Sequence, residues 1–158
     1  QRQMCIRDRY VVVVITAQSC IGSGYVPQET VHMNHERLCQ LLVEEANTAD
    51  AQPDLILFST GAGTNAVHPA LADISVAKPS PALLRHAEEL LGLDPQGAWM
   101  VGDRLTDIQA GSAYGATPIL VRTGDGAQTE RALVPNDSST PVVCDNLAEA
   151  VNYILSQL

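Results

Sequence analysis

An α/β domain built on a mostly parallel sheet is predicted from three observations. Short apolar runs rich in β-branched residues alternate with segments of helical apolar spacing. Hydroxyl, ammonium and carboxylate side chains (Thr16, Lys78, Asp103 and Asp107) stand at the carboxyl side of those runs or just before the helices. No internal repeat or low-complexity segment breaks the alternation. Open parallel sheets bind ligands outside the carboxyl ends of their strands, so the polar residues fall where such a fold keeps a site.

Tyr10 to Thr16 reads as a strand buried on both faces, as β-branched runs in parallel sheets are. Ala17 to Pro27, which holds Gly22 and Gly24, reads as a loop. Between Gln28 and Asn47 the residues Val31, Leu38, Leu41, Leu42 and Ala46 keep a helical spacing. Asp54 to Ser59 is the next strand, and the composition of Thr60 to Ala77 predicts a long connection with no regular element. Ser80 and Pro81 open a helix with a cap and a first-turn proline. Gly92 closes it, and Leu83, Ala87, Leu90 and Leu91 are its expected buried stripe. Ala98 to Val101 is a strand ending in Gly102, followed by a helix that ends near Gly115. Pro118 to Val121 is another strand, Arg122 to Thr140 a polar loop, and Val142 to Cys144 a last short strand. Asn146 and Glu149 form a capping box for a final helix that buries Leu147, Val151, Ile154 and Leu155.

The bulk properties narrow the function classes. At 158 residues, 46% hydrophobic and 17% charged, the chain is long enough and apolar enough for one folded domain. A net charge of -9 argues against a nucleic-acid surface, because little that is basic is available to replace phosphate counterions. Cys5, Cys20, Cys39 and Cys144 are scattered, with no CxxC or CxH pair, which predicts neither a zinc site nor a disulfide framework and fits the cytoplasm. Arg2, Arg7 and Arg9 precede the apolar Tyr10 to Ile15, but that run is short for a signal peptide and far too short for a membrane span. Gln1 to Arg9 follows neither a helical nor a strand period, and Met4 to Arg9 (MCIRDR) resembles translated sequencing-adaptor read-through. A non-native or disordered start over residues 1–9 and a single domain over 10–158 are therefore expected.

The chemistry-bearing residues each have an ordinary structural reading. Thr16 could be a strand-end hydroxyl, Lys78 a solvated charge, and Asp103 or Asp107 a helix cap. Together they supply a hydroxyl, the single lysine of the chain and two carboxylates four residues apart. That inventory suits a phosphoryl group bridged to Mg²⁺, a hard cation that takes a few carboxylates plus waters.

These residues also carry a resemblance. Thr16, Lys78-Pro79-x-Pro81 and Gly102-Asp103-x-x-x-Asp107 resemble, in order and spacing, motifs II, III and IV of the haloacid dehalogenase (HAD) superfamily. VVVVITAQSCIGSGY resembles the subfamily III pattern V-V-T-N-Q-S-G-I-x-x-G. KPSPALL, MVGDRLTDIQAG and ILVRTG are similar to the heptose 1,7-bisphosphate and histidinol-phosphate phosphatases. The resemblance implies a three-layer Rossmann-like parallel sheet and hydrolysis of a small sugar or amino-alcohol phosphate through an aspartyl-phosphate. It implies Thr16 and Lys78 as catalytic groups, Gln18 and Ser19 with them as substrate-binding residues, and Asp103 and Asp107 as Mg²⁺ ligands. A monomer acting on a small phosphorylated metabolite, without nucleic acid or membrane, is the expected setting.

The departures set further expectations. The family nucleophile lies in a D-x-D motif on the central first strand, and the sequence holds no such triplet. The domain is thus expected to be incomplete, inactive as it stands, and split into two pairs of strands. Ala17 stands for the usual asparagine, Cys20 for the glycine and Ser23 for the arginine common in heptose phosphatases. The Cys/His zinc loop is missing as well, and His68 reads as a loop residue. A non-catalytic HAD-like binding domain is the alternative. A receiver-like signalling domain is disfavoured because its lysine follows the phosphorylated aspartate.

Overall fold

The computed structural model describes residues 10–133 and 140–157. The expectation for residues 1–9 lies outside them. The chain divides into two units, residues 1–77 and 78–158, and both are α/β with parallel strands.

In the first unit β1 (Val13–Ala17) pairs in parallel with β2 (Leu55–Ser59), from Val13 opposite Leu55 to Ala17 opposite Ser59. The strand begins three residues later than its apolar run, and its residues are half-buried or exposed rather than buried on both faces. A two-stranded sheet offers too little cover for the double-sided burial that a wide parallel sheet gives. The expected loop after β1 contains one short helix, α1 (Ser19–Gly22). α2 (Gln28–Ala46) follows and ends on Asn47 in the left-handed region (φ 52°). Of its predicted apolar face Val31 is buried, while Leu38 and Leu41 are exposed. Aromatic edges make the contact to the strand instead: the rings of His32 and His35 each stand 5.4 Å from that of Phe58. The connection from Thr60 to Ala77 holds two single 3-10 turns, Gly63–Asn65 and Pro69–Leu71. His68 caps the second through Nδ1, which accepts from the amide of Ala70 at 3.2 Å.

The second unit is a three-stranded parallel sheet in the order β3 (Trp99–Gly102), β4 (Thr117–Val121), β5 (Val142–Cys144). A pair and a triplet of strands therefore replace the two pairs expected, because β5 adds to β4 through Ile119–Val142 to Val121–Cys144. Its core is Ile119, Val121, Cys144 and Ala150, packed by Trp99, Val101 and Ile154, with Trp99 edge-on to Tyr153 at 5.8 Å.

The helices of this unit are α3 (Ala82–Leu91), α4 (Leu105–Tyr114), α5 (Gly126–Ala132) and α6 (Leu147–Ser156). Gly92 ends α3 at φ 63°, as expected, but the helix starts one residue later than expected: Pro81 is the N-cap rather than the first helical residue, and Ser80 Oγ, one position before it, accepts from the amide of Ala82 at 3.3 Å. Its stripe is narrower than predicted: Ala87 is buried, whereas Leu90 and Leu91 are exposed. Asn146 Oδ1 accepts from the amide of Glu149 at 3.0 Å, completing half of the capping box. The Glu149 carboxylate reaches the amide of Asp145, one residue before the cap. Leu147 is exposed and Ala150 takes the buried position. The helix α5 stands where a polar loop was expected, since GAQTERA has no apolar period to announce it. The described cysteines, Cys20, Cys39 and Cys144, are free thiols, and burial pushes the Cys144 thiol up from its ordinary pKa. Among the described residues no helix is long and apolar enough to cross a membrane.

Candidate functional site

The predicted residues fall into the two units. In the first, Thr16 lies near the end of β1, and Gln18 and Ser19 lead into α1. Gln18 is anchored by its backbone amide, which donates to Ser59 O at 2.7 Å. Its side-chain Nε2 donates to Thr16 Oγ1 at 3.3 Å, so the two polar groups are held together at the strand end. Cys20 Sγ lies 3.7 Å from Gln18 Oε1, filling a place that a glycine would leave open. A cavity of about 490 Å³, lined by His32, His35, Glu36, Cys39 and Phe58 among others, contains none of the candidate residues.

In the second unit Lys78 and Asp107 meet. Lys78 Nζ is 2.6 Å from Asp107 Oδ1, with the two side chains 16% and 6% exposed. Apart from that ammonium, Oδ1 has no hydrogen-bond partner among the described residues. Asp107 Oδ2 accepts from the backbone amide of Arg104 at 3.0 Å. Arg104 is the residue before α4, so Asp107 serves as the reach-back carboxylate of the first helical turn. Asp107 thus spends both oxygens inside the protein, one on a cation and one on the helix entrance. Gly102, the last residue of β3, permits this: a Cβ there would stand 2.3 Å from Asp107 Cβ and 2.5 Å from Oδ2.

Asp103 is disposed differently. It does not cap α4. Its Oδ2 accepts from the amide of Asp125 at 2.9 Å, and its backbone carbonyl accepts from Thr129 Oγ1 at 2.8 Å. No partner for its Oδ1 is found among the described residues. Gly124, at φ 61°, lets the chain pass this carboxylate, since a Cβ there would lie 2.3 Å from Asp103 Oδ2. A carboxylate with one oxygen fixed by an amide and the other open is a suitable donor for a hard cation. Among the described residues no three His, Cys, Asp or Glu are grouped to hold a metal. A cation at Asp103 would therefore complete its shell with waters or phosphate oxygens, as Mg²⁺ does.

Sequence reasoning missed the supports of Asp103, because Arg122 to Thr140 read as an undifferentiated loop. Arg122 Nε and Nη2 donate to the two oxygens of Glu130 at 2.8 and 2.7 Å, and Nη1 donates to Asp145 Oδ1 at 2.6 Å. Arg104 also pairs with Asp125 at 2.8 Å. The hydrogen bonds that Arg122 donates to Glu130 and Asp145 raise its guanidinium above the ordinary pKa, and Arg122 in turn lowers that of Glu130. Since the folded value of Glu130 lies below the unfolded one, its contribution is complete above the ordinary glutamate value and is lost as the pH falls through the folded one. Amide protection in α5 is expected to fall on acidification below about pH 4, with a smaller step in Glu130→Gln. Equal acid steps in the two chains, measured by hydrogen exchange, would contradict this.

Comparison with known proteins places these residues in context. The HAD-hydrolase-like family model matches residues 75–150, which include Lys78, Asp103, Asp107 and Thr129. The chain is similar to the D-glycero-beta-D-manno-heptose-1,7-bisphosphate 7-phosphatase of Pseudomonas putida, at 33% identity over 92% of this chain and 75% of that one. Its identity with the enzyme of the same description from Pseudomonas aeruginosa is 30%, over 92% of this chain and 74% of the relative. Among solved structures it is similar to the D,D-heptose 1,7-bisphosphate phosphatase of B. bronchiseptica, complexed with magnesium and phosphate. The TM-score is 0.80 and the identity 25%, over 99% of this chain and 80% of that one.

Proposed function

The chain belongs to the HAD superfamily of hydrolases, in the group of the heptose bisphosphate phosphatases, and from that premise we propose a Mg²⁺-dependent phosphatase site acting on a small sugar phosphate of the heptose bisphosphate type. The observation that carries the reading is the pairing of half-buried Lys78 with buried Asp107 at 2.6 Å, with Asp103 at the carboxyl end of β3. A cation of that kind neutralises phosphate oxygens when it is bound. Asp103 would hold it through the oxygen that Asp125 leaves open. Asp107 fixes the Lys78 ammonium and orients water around the cation rather than giving up its own paired oxygens. Lys78 stabilises negative charge on a transferring phosphoryl group, a role suited to a largely desolvated ammonium. For Thr16, Gln18 and Ser19, in the first unit, a substrate-binding role is proposed from the motif resemblance alone. The setting proposed is a cytoplasmic monomer with a small phosphorylated metabolite as its partner.

Turnover also needs a nucleophile, and no Asp-x-Asp triplet occurs among the 158 residues. The 158-residue chain is accordingly proposed to be inactive by itself. Joining a D-x-D-G-T strand ahead of Tyr10 is expected to produce Mg²⁺-dependent release of phosphate from a heptose 1,7-bisphosphate, abolished by Lys78→Ala. Phosphate release from the unjoined chain would refute its inactivity. A joined chain that binds the bisphosphate without hydrolysing it would instead favour the non-catalytic binding domain, which Ala17 and Ser23 suggest.

A further inference from the structure

We infer that the segment 122–130 is a positioning bracket for the Asp103 carboxylate, with Thr129 its central positioning residue; this rests on the reading of Asp103 as a cation ligand. Three contacts converge on one residue. The Asp125 amide holds Oδ2 at 2.9 Å, the Thr129 hydroxyl holds the Asp103 carbonyl at 2.8 Å, and Gly124 leaves room for the carboxylate to lie against the loop. Thr129 is 8% exposed, so its hydroxyl is committed to this carbonyl rather than shared with solvent. The segment is itself held at both ends. Arg122 grips Glu130 through two donors and Asp145 through a third, and Arg104 grips Asp125.

Such an arrangement goes beyond what helix or strand formation requires. The Asp103 backbone is fixed from α5 and its carboxylate from the loop before α5, so the side chain has few ways to turn. Restricting a ligand in this way lowers the entropy lost on binding a cation and keeps the open oxygen in one direction. The bracket should therefore act on cation affinity, whereas a merely structural role would act on folding alone.

Mn²⁺ titration of the full 158-residue chain, followed by the electron-spin signal of the free ion, tests this. Thr129→Val keeps the shape and removes the donor, and it is expected to weaken Mn²⁺ binding about tenfold. Thr129→Ser restores the hydroxyl and should bind within about twofold of the parent chain. Asp103→Asn should abolish binding. Parent-like binding by Thr129→Val, or equal weakening in Thr129→Val and Thr129→Ser, would overturn the bracket while leaving Asp103 as a ligand. Parent-like binding by Asp103→Asn, or no binding by the parent, would overturn the cation reading and the bracket with it. If circular dichroism finds Thr129→Val unfolded, Glu130→Gln decides: weaker Mn²⁺ binding supports the bracket, and parent-like binding overturns it.

Discussion

Asp107→Asn is expected to destabilise the 78–158 unit by about 3 kcal/mol, the cost typical of removing one partner from a buried ion pair. The side chains of Lys78 and Asp107 are 16% and 6% exposed, so water screens the pair little. An asparagine would remove the counter-charge 2.6 Å from the Lys78 ammonium and could present its own N–H groups to that donor. Whichever way the amide turned, it could not serve both the ammonium and the Arg104 amide as the carboxylate does. Changing both partners, as Lys78→Met with Asp107→Leu, should recover part of the loss, because neither charge of the pair then has to be desolvated. Trp99 is the single tryptophan of the chain and packs in the core of this unit, so its fluorescence in urea reports the transition. A loss below about 1 kcal/mol for Asp107→Asn would mean that the pair behaves as an exposed one.

Gly102→Ala is the second large effect expected, at about 3 kcal/mol, the upper end for overpacking. The new methyl would lie 2.3 Å from Asp107 Cβ, and neither side can yield readily. Gly102 is fixed in β3 opposite Leu120, and Asp107 is fixed by the helical backbone of α4 and by its bond to Arg104. The helix would have to lift off the strand. Because the obstacle is one side chain, the two positions should couple. In an Asp107→Gly background the added methyl of Gly102→Ala should cost much less, and a double-mutant cycle by urea unfolding measures the difference. Additive losses at the two sites would show that the crowding lies elsewhere.

These two positions mark the boundary between what was legible in the sequence and what was not. The alternation of strands and helices, the Gly92 stop, the Asn146 cap and the placement of Asp103 and Asp107 were readable. Each depends on a residue and its neighbours within a few positions, where spacing and local hydrogen-bonding decide. Burial was read less well. Leu38, Leu41, Leu90, Leu91 and Leu147 all carry helical spacing, yet they stand exposed, because periodicity shows that a face is apolar and not that a partner covers it.

The candidate site divides in the same way. By itself the sequence determined the α/β class and the HAD-like motifs, and offered Thr16, Lys78, Asp103 and Asp107 as candidates, since residue type and spacing along the chain carry that information. Only the tertiary structure decided that Asp107 is committed to Lys78 and the entrance of α4, and that Asp103 is held by Asp125 and Thr129 from 22 and 26 residues away. The physical reason is that a carboxylate's role follows from which donors reach each of its oxygens, and those donors arrive from distant parts of the chain that only folding brings together.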